Sequence, residues 1–169
     1  PAATRYTTPA IALHWVLALA LFTSFSVGVY MADLPFSPQR LKLYNWHKWA
    51  GVPILLLSAL RLRWRLTHPA AHLPHGALYA LFFAVPLVGW AYSSAAGFPI
   101  VWFGVLPLPD FVGPDKALAE AIKPWHGALA WAMAALVVVH IAAALKHHFL
   151  DRDGLLRRMQ PTRNPNSPT

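Results

Sequence analysis

Cysteine is absent from the 169 residues, and acids are scarce, six Asp and Glu against fourteen Lys and Arg. The missing thiols exclude disulfides, thiolate clusters, Cys-ligated zinc and any cofactor attached through a Cys-x-x-Cys-His motif. Histidine, present nine times, is then the strong soft-metal ligand available in quantity. Charge of either sign is thin: 12% of residues are charged and 57% are hydrophobic, a composition that excludes an ordinary soluble domain. The class is integral membrane and α-helical. Eight Trp and nine Phe suit interfacial aromatic belts. In a soluble chain a net charge of +8 would suggest nucleic acid; here the excess is expected to mark the cytoplasmic side, and no nucleic-acid partner is expected. The first apolar run is too long for a signal-peptide core and lacks a small-residue cleavage site after it, so no cleavable signal is expected.

The runs themselves predict the architecture. Pro9–Met31 would reach ~34 Å as a helix, enough to span with some tilt. Ser37-Pro38 reads as an N-cap followed by a proline at the first helical position, opening a second helix that ends among Arg61, Arg63 and Arg65. After a Pro-punctuated loop over Thr67–Pro74, His75–Ala96 forms a third span, with Pro86 as a kink. Gly97–Ile122 is too short and too broken to span; it is expected to lie on the membrane surface as an ordered cap, with the fourth helix starting near Asp115. Lys123–Leu150 crosses back. The expected fold is an all-α integral membrane protein, a four-helix transmembrane bundle with both termini cytoplasmic. Residues 1–160 would form a single domain and 161–169 a flexible C-terminal tail. Orientation follows from charge: Arg5, Arg61, Arg63, Arg65, Lys146, Arg152, Arg157, Arg158 and Arg163 fall on the side of the termini. Arg40, Lys42, Lys48, Lys116 and Lys123 fall on the other, together with four of the six acids. The positive-inside rule puts the richer side in the cytoplasm.

Four histidines stand inside these spans. An ionisable ring in hydrocarbon is costly and marks a functional site by default. His126 and His140 share the last span; fourteen residues at ~100° each return to within about 40° of the same face, ~21 Å along the axis. His14, early in the outgoing first helix, lies at the depth of His140, and His47 at that of His126. Depth therefore pairs His14 with His140 toward the cytoplasm and His47 with His126 toward the outside. Two pairs at two levels suit two haems b, each held by one imidazole on either face and by no covalent link. A zinc or copper site competes for the same ligands, but would gather three or four at one depth. His68, His72 and His75 read as solvated loop residues. Gly28, Gly51 and the alanines at 130, 134, 143 and 144 would allow close approach of a flat macrocycle or simply tight helix packing.

His14-Trp15, His47, Trp125-His126 and His140 followed by Ala-Ala-Ala-Leu-Lys-His-His resemble the bacterial cytochrome b561 family over nearly the whole chain. That resemblance implies a dihaem b-type cytochrome of the bacterial inner membrane. Members that stand alone are similar to superoxide oxidase, which passes electrons from superoxide in the periplasm to ubiquinone, and this implies a superoxide:ubiquinone oxidoreductase. Axial ligands on both faces of each iron would leave outer-sphere electron transfer as the chemistry. The outer cations would draw in an anionic donor, although the same side's four acids reduce its net charge to +1. His147, at the cytoplasmic end of the fourth helix, is a candidate to protonate or bind the quinone, since histidine exchanges protons near neutral pH. The alternative is an electron-relay subunit that carries electrons between a separate redox protein and quinone; a haem-free transporter is a third reading.

Overall fold

In the computed structural model, residues 6–68, 76–152 and 154–160 are described. Four long helices follow in order: α1 (Thr8–Ala32), α2 (Pro38–Thr67), α3 (Gly76–Ala95) and α4 (Lys116–Phe149). Each start has a local cause. Pro9 occupies the first turn of α1, where a missing N–H costs nothing. The Ser37 hydroxyl accepts from the Arg40 amide at 3.2 Å and caps α2, with Pro38 just inside. The Asp115 carboxylate accepts from the Leu118 amide at 3.1 Å and starts α4. Pro53, Pro86 and Pro124 all lie inside helices that continue through them.

The long connection is not purely irregular. Val101–Trp102 (β1) and Leu106–Pro107 (β2) pair antiparallel, Val101 opposite Pro107 and Trp102 opposite Leu106, so the all-α expectation is corrected by one small hairpin. Two indoles clasp it to α2: Trp49 Nε1 donates to the Val101 carbonyl at 2.7 Å, and Trp102 Nε1 donates to the Trp49 carbonyl at 3.1 Å. Trp90 on α3 donates to the Pro109 carbonyl, fixing the far end. The chain crosses from α3 to α4 when Asp115 N donates to the Ala95 carbonyl at 2.8 Å.

α2 packs between α1 and α3, and α3 packs on α4. Leu17, Ile54, Phe82, Val85 and Met133, one or two from each long helix, make a common core. Outside it the helices present Leu19, Phe22, Trp131, Val138 and Val139 as exposed apolar surface, the inverse of a soluble bundle. By length and composition, α1, α3 and α4 can each cross a membrane; α2 carries cations at both ends and does not reach that threshold. After α4 the chain turns through Gly154, whose φ of 69° favours glycine, into the one-turn helix α5 (Leu155–Arg158). Trp15 Nε1 donates to the Met159 carbonyl at 2.8 Å and ties this segment back to α1. Arg5, His72, His75, Arg163 and the tail over 161–169 lie outside the described residues.

Removing the Ser37 cap tests the local reading of α2. Ser37→Ala should destabilise the protein by about 1 kcal/mol, read as a lower thermal midpoint in detergent with an unchanged helical circular dichroism spectrum.

Candidate functional site: two histidine pairs

The helices bring the four intramembrane histidines together in twos. The His47 and His126 ring centroids are 6.1 Å apart, and those of His14 and His140 are 6.2 Å apart. A metal–imidazole nitrogen bond of about 2 Å on each side, plus half a ring at each end, comes to roughly 6 Å. Both separations therefore suit one metal ion between two imidazoles. Among the described residues no group of three or more His, Asp or Glu could hold a metal, so a zinc-type cluster has no ligand set there.

The second nitrogen of the His47 ring and of the His126 ring is engaged by backbone. His47 Nδ1 lies 3.0 Å from the Ser24 carbonyl and 3.3 Å from its hydroxyl; His126 Nδ1 lies 3.0 Å from the Val85 carbonyl. A carbonyl can only accept, so Nδ1 carries the proton and Nε2 keeps its lone pair for a metal. Access to those carbonyls has a common device. In an α-helix the carbonyl of residue i points toward residue i+4, and residue i+4 is Gly28 for Ser24 and Gly89 for Val85. A Cβ on Gly28 would stand 3.0 Å from His47 Cε1, and one on Gly89 would stand 2.7 Å from His126 Cε1. The two glycines are windows through which a neighbouring helix's imidazole reaches main chain. Among the described residues, what Gly28 gives room to is His47. A Cβ on Gly51 would meet nothing within 4 Å. Gly89 is missed by the sequence reading, although an isolated glycine inside a strong helical pattern is the available signal for close approach.

The inner pair is built differently. Arg61 Nη2 donates to His14 Nδ1 at 3.0 Å, while its guanidinium lies 5.9 Å from the Tyr79 ring centre. A neutral ring that accepts at Nδ1 holds its proton on Nε2, so a metal held there would displace that proton. Trp15 stands edge-on to His14 at 5.1 Å. This contact with Arg61 was not foreseen.

The remaining candidates fall at the two ends. His147 Nδ1 lies 2.8 Å from Asp151 Oδ2. His148 Nδ1 is buried without a hydrogen-bond partner among the described residues. His68, expected to be a solvated loop residue, ends α2 with its ring stacked on Trp64 at 4.0 Å. At the end of the bundle that holds His47 and His126, Arg40 donates to the Tyr44 hydroxyl, Lys42 lies over the Trp46 ring, and Lys48 Nζ sits 3.3 Å from both the Ser93 hydroxyl and the Phe98 carbonyl.

Comparison with known proteins agrees with this architecture. Residues 5–162 match the family model described as prokaryotic cytochrome b561. Cytochrome b561 homolog 2 of Escherichia coli (strain K12) is 33% identical, covering 92% of this chain and 90% of the relative. Cytochrome b561 homolog 1 of the same organism is 31% identical over 94% of this chain and 98% of its own length. The probable superoxide oxidase CybB of Yersinia pestis is 28% identical, with 93% of this chain and 96% of the relative covered. The chain thus belongs to the prokaryotic cytochrome b561 family, haem b proteins of electron transport in the membrane.

Proposed function

We propose that this chain is a dihaem cytochrome that carries electrons across the bacterial inner membrane from a periplasmic donor to ubiquinone, and that superoxide is the donor. The observation that carries it is the geometry of the two histidine pairs, each spaced for one metal ion and set about 21 Å apart along α4. His47 and His126 would ligate the outer haem, and His14 and His140 the inner one. Bound haem supplies reversible one-electron chemistry. The four imidazoles would hold the two haems, and the residues' task is to hold, orient and insulate.

Four spans with both termini cytoplasmic complete the reading. α2 is the fourth: its charge-free stretch over residues 49–60 is packed against α1 and α3, and its terminal cations reach the interfaces. Superoxide as donor rests on the likeness to CybB, together with the outer cations, of which Lys48 directly follows the ligand His47. The balance is two superoxide anions, one ubiquinone and two protons giving two dioxygen and one ubiquinol. His147, at the inner end of α4, would deliver protons to the quinone from the cytoplasmic side.

Purified protein should show two haems b per chain by pyridine haemochrome and should reduce added ubiquinone when supplied with superoxide. Two haems without superoxide oxidation would favour the electron-relay subunit, and no haem would remove both readings. His140→Ala should lose one haem and retain the other. Gly89→Ala should lose or alter the outer haem alone, because its methyl group would occupy the space of His126 Cε1; an unchanged dithionite-reduced spectrum would contradict the outer assignment.

A further inference from the structure

The inner end of α4 carries a histidine–carboxylate pair that the haem sites do not use. His147 follows His140 by seven residues, nearly two full turns, so it lies on the same face and about 10 Å further toward the cytoplasm. Beyond the helix end the Asp151 amide donates to the Lys146 carbonyl, which turns the chain so that Asp151 Oδ2 comes within 2.8 Å of His147 Nδ1. Lys146 Nζ approaches the same oxygen at 3.9 Å. The carboxylate is thereby bracketed by two donors and a main-chain bond. The segment that follows is bound across to α1 by the Trp15–Met159 hydrogen bond, and Trp15 touches His14. The pair therefore sits at the end of the bundle that holds His14 and His140.

Both side chains are part-exposed, the His147 side chain 44% and the Asp151 side chain 42%, and an ion pair so placed contributes little to stability. Its consequence is orientation. An acceptor at Nδ1 fixes that nitrogen as the N–H and makes Nε2 the atom that exchanges protons, as in other carboxylate-oriented catalytic histidines.

We propose that Asp151 is the positioning residue of the quinone site, holding His147 so that Nε2 passes protons to the quinone oxygens. The inference rests on the reading of His147 given above. In the step, quinone takes up two electrons and two protons and becomes quinol. His147 gives each proton from Nε2 and regains it from cytoplasmic water, while Asp151 keeps its charge throughout.

The test is a stopped-flow measurement on the full-length, haem-loaded protein, reduced with one equivalent of dithionite and mixed with ubiquinone-1, following reoxidation of the α-band. His147→Ala should slow the saturating rate on the order of a hundredfold. Asp151→Ala should slow it about tenfold through misorientation, with the half-saturating quinone concentration and both haem spectra unchanged. Asp151→Glu keeps a carboxylate, which can only accept from Nδ1–H, and should recover most of the rate. If Asp151→Ala matches the parent while His147→Ala is slow, the positioning role is overturned and the quinone reading stands. Equal slowing by Asp151→Ala and Asp151→Glu would also overturn it, since a carboxylate able to accept from Nδ1–H would then restore nothing. Parental rates in His147→Ala would overturn the quinone reading itself.

Discussion

An imidazole held between membrane helices needs a partner for Nδ1 before Nε2 can serve anything else, because an unpaired polar nitrogen in that medium costs several kcal/mol. The rest of the structure follows from how that need is met. On the outer side the partners are main-chain carbonyls, Ser24 for His47 and Val85 for His126. A helix carbonyl is normally screened by its own next turn, so the partner is reachable only where that turn has no side chain, at Gly28 and Gly89. Helix spacing, ring orientation and the free nitrogen are thus aspects of one arrangement.

The two levels differ in kind. The His47 and His126 rings donate to neutral carbonyls, which makes them more electron-rich, whereas His14 faces the Arg61 guanidinium. Between the levels lies the apolar core of Leu17, Ile54, Phe82, Val85 and Met133, which separates the pairs and contains no titratable group. The outer end is stiffened by reciprocal indole bonds between Trp49 and the hairpin, and by Lys48, which bridges α2 to the Ser93 hydroxyl and the Phe98 carbonyl. At the opposite end Trp15 donates to the Met159 carbonyl and Arg61 donates to His14, each joining distant parts of the chain.

Much of this was legible from residue order alone because membrane constraints are strong and local. Long apolar runs, the Ser37-Pro38 start and the Asp115 cap required only the chemistry of neighbouring residues. The fourteen-residue gap from His126 to His140 required only helix periodicity, and depth then matched each with His47 or His14. The hairpin at Val101–Pro107 was not legible, since two residues per strand carry no periodicity and its stability comes from the distant Trp49. Gly89, the Val85 carbonyl and the Arg61–His14 contact were missed for the same reason: each has its meaning on another helix.

Sequence by itself determined that the chain is helical, belongs in a membrane and bears histidines at two depths, because the solvent imposes hydropathy and helix period residue by residue. Only the tertiary structure decided which nitrogen of each outer ring is turned toward its partner, which glycines admit those rings, and that Asp151 comes to His147. These are distances between side chains on different turns or helices, and no spacing along one strand of sequence encodes them.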